Sequence, residues 1–270
     1  MKMRILSAVV GILILFTILF CPLTWVLAVA AAALATIAVW ELLHNTGIVP
    51  QKGFLYSGML FAGTEVLAIA YAEYLGWLPF ALPALYLLVA VFIAAMPRYG
   101  VPIHKALKAV VLTTYAMLGF AALVRLRFRT DGLFYVLLPM VISWMSDTGA
   151  YFTGMLFGKH KMAPIISPKK TWEGFFGGWL VSVGCSALYV LLYQWLAGVQ
   201  LAVAPLWTAV LAVPLAPLSV CGDLLASRIK RSCGIKDYGN IMPGHGGVMD
   251  RFDSVVMVAP VLWILLAVFA

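Results

Sequence analysis

Apolar residues arrive along this chain in long runs separated by short polar junctions, the pattern of helices that cross a lipid bilayer, each of which needs roughly 20 residues. The runs predict nine helices, over 4–20, 23–42, 54–75, 78–96, 103–124, 132–156, 174–195, 203–227 and 253–270. The stretch from Val26 to Trp40 holds no charge at all. A transmembrane β-barrel would instead show short alternating segments. Pro205, Pro214 and Pro217 mark 203–227 as the one span that could be broken or re-entrant. The expected fold is therefore an all-α integral membrane protein, a polytopic bundle of about nine transmembrane helices. It reads as a single transmembrane domain over 1–270, with N-terminal helices over 1–130 and a catalytic part with its loops over 131–270.

Composition strengthens this reading. Of 270 residues, 64% are hydrophobic and 10% charged, with a mean hydropathy of +1.04, whereas soluble domains are about 45–50% apolar. The N-terminal segment carries Lys2 and Arg4 but no small-residue cleavage site, and another span follows at once, so it reads as a retained helix. Cys21, Cys185, Cys221 and Cys233 lack CxxC or His-paired spacing and are read as packing residues.

Lys and Arg favour cytoplasmic junctions. Of the 18 basic residues, all but Arg125, Arg127 and Arg129 fall at the N-terminus or in the junctions after the even-numbered spans. This predicts a multi-pass protein of the inner (cytoplasmic) membrane, with its N-terminus and active site on the cytoplasmic side.

Charges that lipid would not tolerate crowd into the second half, and an ionisable residue within a span is a functional candidate by default. In VISWMSDTGAYFTG, Ser143, Asp147 and Tyr151 share one helix face. The junction FGKHKMAPIISPKKTWEG brings Ser167, Lys169, Lys170 and Thr171 to the start of the next helix. Hydroxyls, ammonium groups and free helix N–H groups together suit an anion, and Glu173 complements the helix dipole.

The densest constellation is CGDLLASRIKRSCGIKDYGNIMPGHGGVMDRFDS, residues 221–254. Asp223, Ser227 and Arg231 recur at helical spacing on one face, with Lys230, Lys236, Asp237 and His245 following. PGHGG, 243–247, lets backbone approach a ligand closely, yet no GxxxxGK[ST] pattern is present, which disfavours a P-loop enzyme. Asp250, Arg251 and Asp253 then precede the last helix. Carboxylates here suit a hard cation, because magnesium takes one or two of them together with substrate phosphates. Ion pairs with neighbouring Arg residues are the competing use of the same acids. Several acids and many bases without a Ser-His-Asp or Cys-His nucleophile indicate phosphoryl or nucleotidyl transfer by positioning and charge neutralisation.

With those motifs in view, the chain resembles the phosphatidate cytidylyltransferase (CDP-diacylglycerol synthase) family, bacterial type. Ser227, Lys230, Arg231, Lys236, Asp237, Gly239, Pro243, His245, Gly246, Gly247, Asp250, Arg251 and Asp253 stand at the family's spacing, and Met242 is a conservative departure. The likeness extends upstream through SPKKTWEG to Asp147. It implies CTP and phosphatidate as substrates, CDP-diacylglycerol and pyrophosphate as products, a Mg2+ requirement with a possible second monovalent cation, the bilayer as surroundings and a possible homodimer. No nucleic acid is implied.

Carried over, the expected catalytic residues are Asp147, Asp223, Lys236, Asp237 and Asp250. The expected substrate-binding residues are Ser167, Lys169, Lys170, Thr171, Ser227, Lys230, Arg231, His245 and Arg251. The expected metal acids are Asp223 and Asp250, with Asp253 within reach. The alternatives are a related membrane transferase or kinase acting on an isoprenoid or polyprenol phosphate, or a transporter.

Overall fold

A computed structural model describes residues 2–49, 51–96, 101–241, 244 and 246–269, with side chains from residue 9 onward. His245, Met242, Pro243 and Arg98 lie outside the described residues. The helices are α1 (Lys2–Phe20), α2 (Thr24–Trp40), α3 (Lys52–Ala70), the single turn α4 (Ala72–Leu75), α5 (Leu78–Ala95), α6 (Ile103–Arg127), α7 (Gly132–Phe157), α8 (Trp172–Ala197), α9 (Pro205–Ser232) and α10 (Met249–Phe269). Helix α2 continues without a break into a π-helical turn, Glu41–Asn45. Among the described residues, eight helices are long and apolar enough to cross a membrane, and Val9–Phe20 of α1 adds a shorter apolar one. The chain is a multi-pass, all-α membrane protein.

Between α7 and α8 the chain makes a feature the hydrophobic pattern did not predict, an antiparallel hairpin of β1 (Lys161–Ala163) and β2 (Ser167–Thr171). Two strands of three and five residues are too short to leave a period-two signature.

The chain forms two compact units. The first comprises Met1–Phe128 and Ser232–Phe252, the second Arg129–Arg231 and Asp253–Ala270. In the first, α2, α3 and α6 pack on one another and α5 packs on α3. The stacked rings of Phe61 and Tyr86 lie 4.3 Å apart, and the Tyr86 hydroxyl donates to Thr113 Oγ1 at 3.2 Å.

The second unit is organised around the tight pair α7 and α8. A side chain at Gly149 would meet Val181, one at Gly178 would meet Ala150 and the Ser146 carbonyl, and one at Gly177 would meet Thr153. Apolar helices in lipid gain little from burying one another, so small residues that let backbones approach supply the association through packing.

The prolines of the doubtful span do not break it: α9 runs continuously from Pro205 to Ser232 through Pro214 and Pro217. Pro217 has no N–H to give the Val213 carbonyl four residues back. The indole Nε1–H of Trp179, on α8, donates to that carbonyl instead at 2.9 Å. Helix α10 also departs from expectation by starting at Met249 rather than 253. Its first turn is held by a residue more than 200 positions away, so no local signal marked it.

Candidate active site

Within the second unit, α7, α8, α9 and the hairpin surround a cavity of about 240 Å³ whose polar lining includes Asp147, Ser167, Lys169, Lys170 and Thr171. Tyr151, Met162, Phe175 and Val220 supply apolar wall. Six of the residues singled out in the sequence, Tyr151 among them, thus face one space. The hairpin presents Ser167 and both lysines, while the close approach of α7 to α8 brings Asp147 to the same wall. Ser143, expected on the Asp147 face, is instead fully buried and contributes nothing to the cavity.

Local capping fixes the hairpin. Thr171 Oγ1 accepts the Gly174 N–H at 3.1 Å and so caps α8, a use worth about 1 kcal/mol in typical helices. Its hydroxyl proton is still available to a ligand. Glu173 ties the other end, accepting the Lys159 N–H at 3.1 Å and the His160 N–H at 3.2 Å, with His160 Nδ1 at 2.6 Å. The acid expected to answer the helix dipole is in the first turn of α8, where it also latches the chain leaving α7.

Lys170 reaches from β2 to α9, where its ammonium forms an ion pair with the Asp223 carboxylate. The other oxygen of Asp223 accepts from the Ser227 hydroxyl at 3.3 Å, one turn along the same helix. Gly222 lets α9 approach α10 so closely that a side chain there would strike the Asp253 carbonyl and Met257. Asp253 takes the Ser254 N–H on Oδ1 at 2.7 Å. Asp147, Asp223 and Asp253 therefore lie within one another's electrostatic range, with Lys170 and Lys230 among them. Three acids and two ammonium groups thus share one region of the second unit, and those are the side-chain types that bind phosphates and hard cations.

The first unit holds Lys236, Asp237, Asp250 and Arg251, whereas Arg231 ends the run of the second unit along α9. Lys236 and Asp237 are exposed on the segment after α9, and Arg251 is exposed in the first turn of α10. The Gly-rich turn has left-handed backbone at Gly244 (φ +79°) and Gly246 (φ +88°), which L side chains rarely adopt. Asp250 Oδ2 accepts the Tyr238 N–H at 2.7 Å and the Gly247 N–H at 2.9 Å. Asp223 belongs to the second unit and Asp250 to the first.

Two acids of the first unit escaped the sequence reading, Glu41 and Glu65, both essentially inaccessible to solvent. Each interrupts an apolar span, and the default rule for intramembrane acids would have found them. Among the described residues no three His, Cys, Asp or Glu side chains converge closely enough to hold a metal alone. Paired carboxylate oxygens still match magnesium, which completes its shell with substrate phosphates and water.

The fold and this acid-and-base site define a membrane-embedded transferase acting on phosphates. The chain matches the model of the cytidylyltransferase family over residues 2–269 and belongs to that family. It is 35% identical to the phosphatidate cytidylyltransferase of Staphylococcus epidermidis over 272 residues, covering 98% of this chain and 99% of the relative. Similar proteins of the same designation from Staphylococcus haemolyticus, 35% identical, and Staphylococcus aureus, 34% identical, are likewise covered over 98% of this chain and 99% of their own length.

Proposed function

We propose that this chain is a CTP:phosphatidate cytidylyltransferase of the bacterial inner membrane, forming CDP-diacylglycerol and pyrophosphate at the cytoplasmic face. The observation that carries the reading is the second unit's cavity, where a lysine-bearing hairpin and Asp147 face one space and Lys170 engages Asp223. Near-full-length likeness to enzymes of that name supplies the identity of the substrates.

Phosphatidate arrives with its phosphate already largely ionised near neutrality, so no protein nucleophile is required. One of its oxygens attacks the α-phosphorus of CTP in line. The bond from that phosphorus to the bridging oxygen breaks, and pyrophosphate leaves with the electron pair. Lys169, Lys170 and Ser167 bind phosphate oxygens and offset charge that grows on the leaving group. A divalent cation, when bound, would neutralise phosphate oxygens in the same way, and Asp223 with Asp253 are the second-unit acids that would hold it. Lys170 then has two partners of like sign, the Asp223 carboxylate and the nucleotide. Asp147, already ringed by charge, orients the lysine side of the cavity and need not remove a proton. The concentration of Lys and Arg on one side of the membrane supports the cytoplasmic orientation.

The test is direct. Purified protein in detergent, given CTP, phosphatidate and magnesium, is expected to yield CDP-diacylglycerol and pyrophosphate in equal amounts, and chelation of the metal is expected to stop both. Formation of neither product, or turnover only with an isoprenoid or polyprenol phosphate as acceptor, would overturn the assignment.

A further inference from the structure

Glu41 sits where an apolar span ends, inside the π-helical turn Glu41–Asn45, and is wholly buried. A carboxylate withdrawn from water costs several kcal/mol unless hydrogen bonds compensate it, so packing alone gives no reason for one here. Its two oxygens accept one backbone N–H each, from Val248 at 2.9 Å and Met249 at 2.8 Å. Those are donors at the start of α10 that no helical carbonyl can reach. Val248, whose carbonyl accepts the first bonds of that helix from Arg251 and Phe252, has no side-chain oxygen to cap it. Glu41 provides the cap from another helix, and its charge meets the positive end of the helix dipole.

The fit around this carboxylate is close. A side chain at either Gly239 or Gly247 would run into Glu41, so both ends of the Gly-rich segment pass against the same group. One turn further along, Asn45 Nδ2 donates to the Tyr238 carbonyl at 2.6 Å. Tyr238 in turn gives its N–H to Asp250. Three side chains, Glu41, Asn45 and Asp250, thus fasten the backbone at Tyr238 and across residues 247–249. A π-helical turn inside an α-helix is uncommon and is found often at functional sites.

We infer that Glu41 is a positioning residue for the transferase reaction, fixing the Gly-rich turn and through it the carboxylate of Asp250 and the guanidinium of Arg251. This rests on the function proposed above. Glu41 is wholly buried, so its effect passes through the turn it holds. Partners that orient the ligands of a metal site from behind change metal affinity or activity by about 10–100-fold when lost, and that range sets the scale expected here.

The experiment compares E41Q and E41D with the parent by steady-state kinetics and by hydrogen–deuterium exchange. Gln keeps the shape but turns an N–H2 toward one of the two backbone donors. The expected result for E41Q is a kcat lower by about 10–100-fold, a KM for CTP within about threefold of the parent's, and faster exchange confined to peptides within 236–252. Asp keeps the charge with a shorter reach and is expected to fall between Gln and the parent. A kcat equal to the parent's, or a loss in kcat with unchanged exchange across 236–252, overturns the inference. A loss that merely tracks the unfolded fraction, with faster exchange throughout α6 as well, overturns it too. Should E41Q not accumulate, G239A presses a methyl group on the same carboxylate and is held to the same outcomes. If the parent forms no CDP-diacylglycerol the proposed function fails, while the exchange data still decide whether Glu41 holds the turn.

Discussion

Glu41 in the first unit and Asp223 in the second are satisfied by opposite means. In the first, Glu41 is answered by backbone N–H groups alone. In the second, Asp223 is answered by side chains, the Lys170 ammonium and the Ser227 hydroxyl. Backbone donors cannot leave without unwinding the structure, so a carboxylate they hold acts as a fixed part of the frame. A lysine on a short hairpin can exchange one anionic partner for another. The contrast assigns framework to the first acid and charge handling to the second.

The largest effect that would test this contrast is D223N. Removing one charge-stabilising group from a preorganised site lowers kcat by about 10²–10³-fold. Because Asn keeps the shape, the protein should still be recovered folded. Activity near that of the parent, measured with CTP and phosphatidate, would break the assignment of charge handling to the second unit.

A smaller effect separates catalysis from stability at the same pair. K170M leaves the Asp223 carboxylate without its cation in a place that is only about a quarter exposed. The expected cost is about 1–3 kcal/mol, below that of a fully buried pair. The double variant K170M/D223N removes both charges, so its thermal midpoint should recover while its activity stays low. A midpoint as low as that of K170M would mean that the pair's contribution to folding is not electrostatic. G247A makes the matching intervention in the first unit. It crowds Glu41 without changing any charge, and overpacking of this kind costs about 1–3 kcal/mol. Its activity should fall without any change in salt dependence, as befits a framework defect.

How much of this was legible in advance depended on the range of the interaction. The helices were legible, because each lipid-spanning run carries its own apolar signal. Ser167, Lys169 and Lys170 were legible as a group, since one short junction carries them, but their meeting with Asp147 was not, because it depends on the close approach of α7 to α8. Nor was the start of α10, because the group that caps it, Glu41, belongs to the π-helical turn that follows α2 and sequence spacing holds no trace of that pairing. Glu41 itself was visible as a charge at the end of an apolar run, yet its partners are backbone atoms that any residue type possesses. The hairpin was hidden by its brevity, and the continuity of α9 by a compensating donor on a different helix.

That donor gives the mildest and most specific check on the second unit's reliance on side chains. W179F deletes the N–H that serves the Val213 carbonyl, and the net loss of one such bond is about 1 kcal/mol, read as a lower thermal midpoint with little change in activity. P217A restores a backbone N–H at the position that lacked one, giving the same carbonyl a helical partner. In the P217A background W179F should therefore cost clearly less than it does alone. Equal costs in the two backgrounds would show that Trp179 stabilises through its ring. The prolines of α9 would then be tolerated for a reason other than this bond.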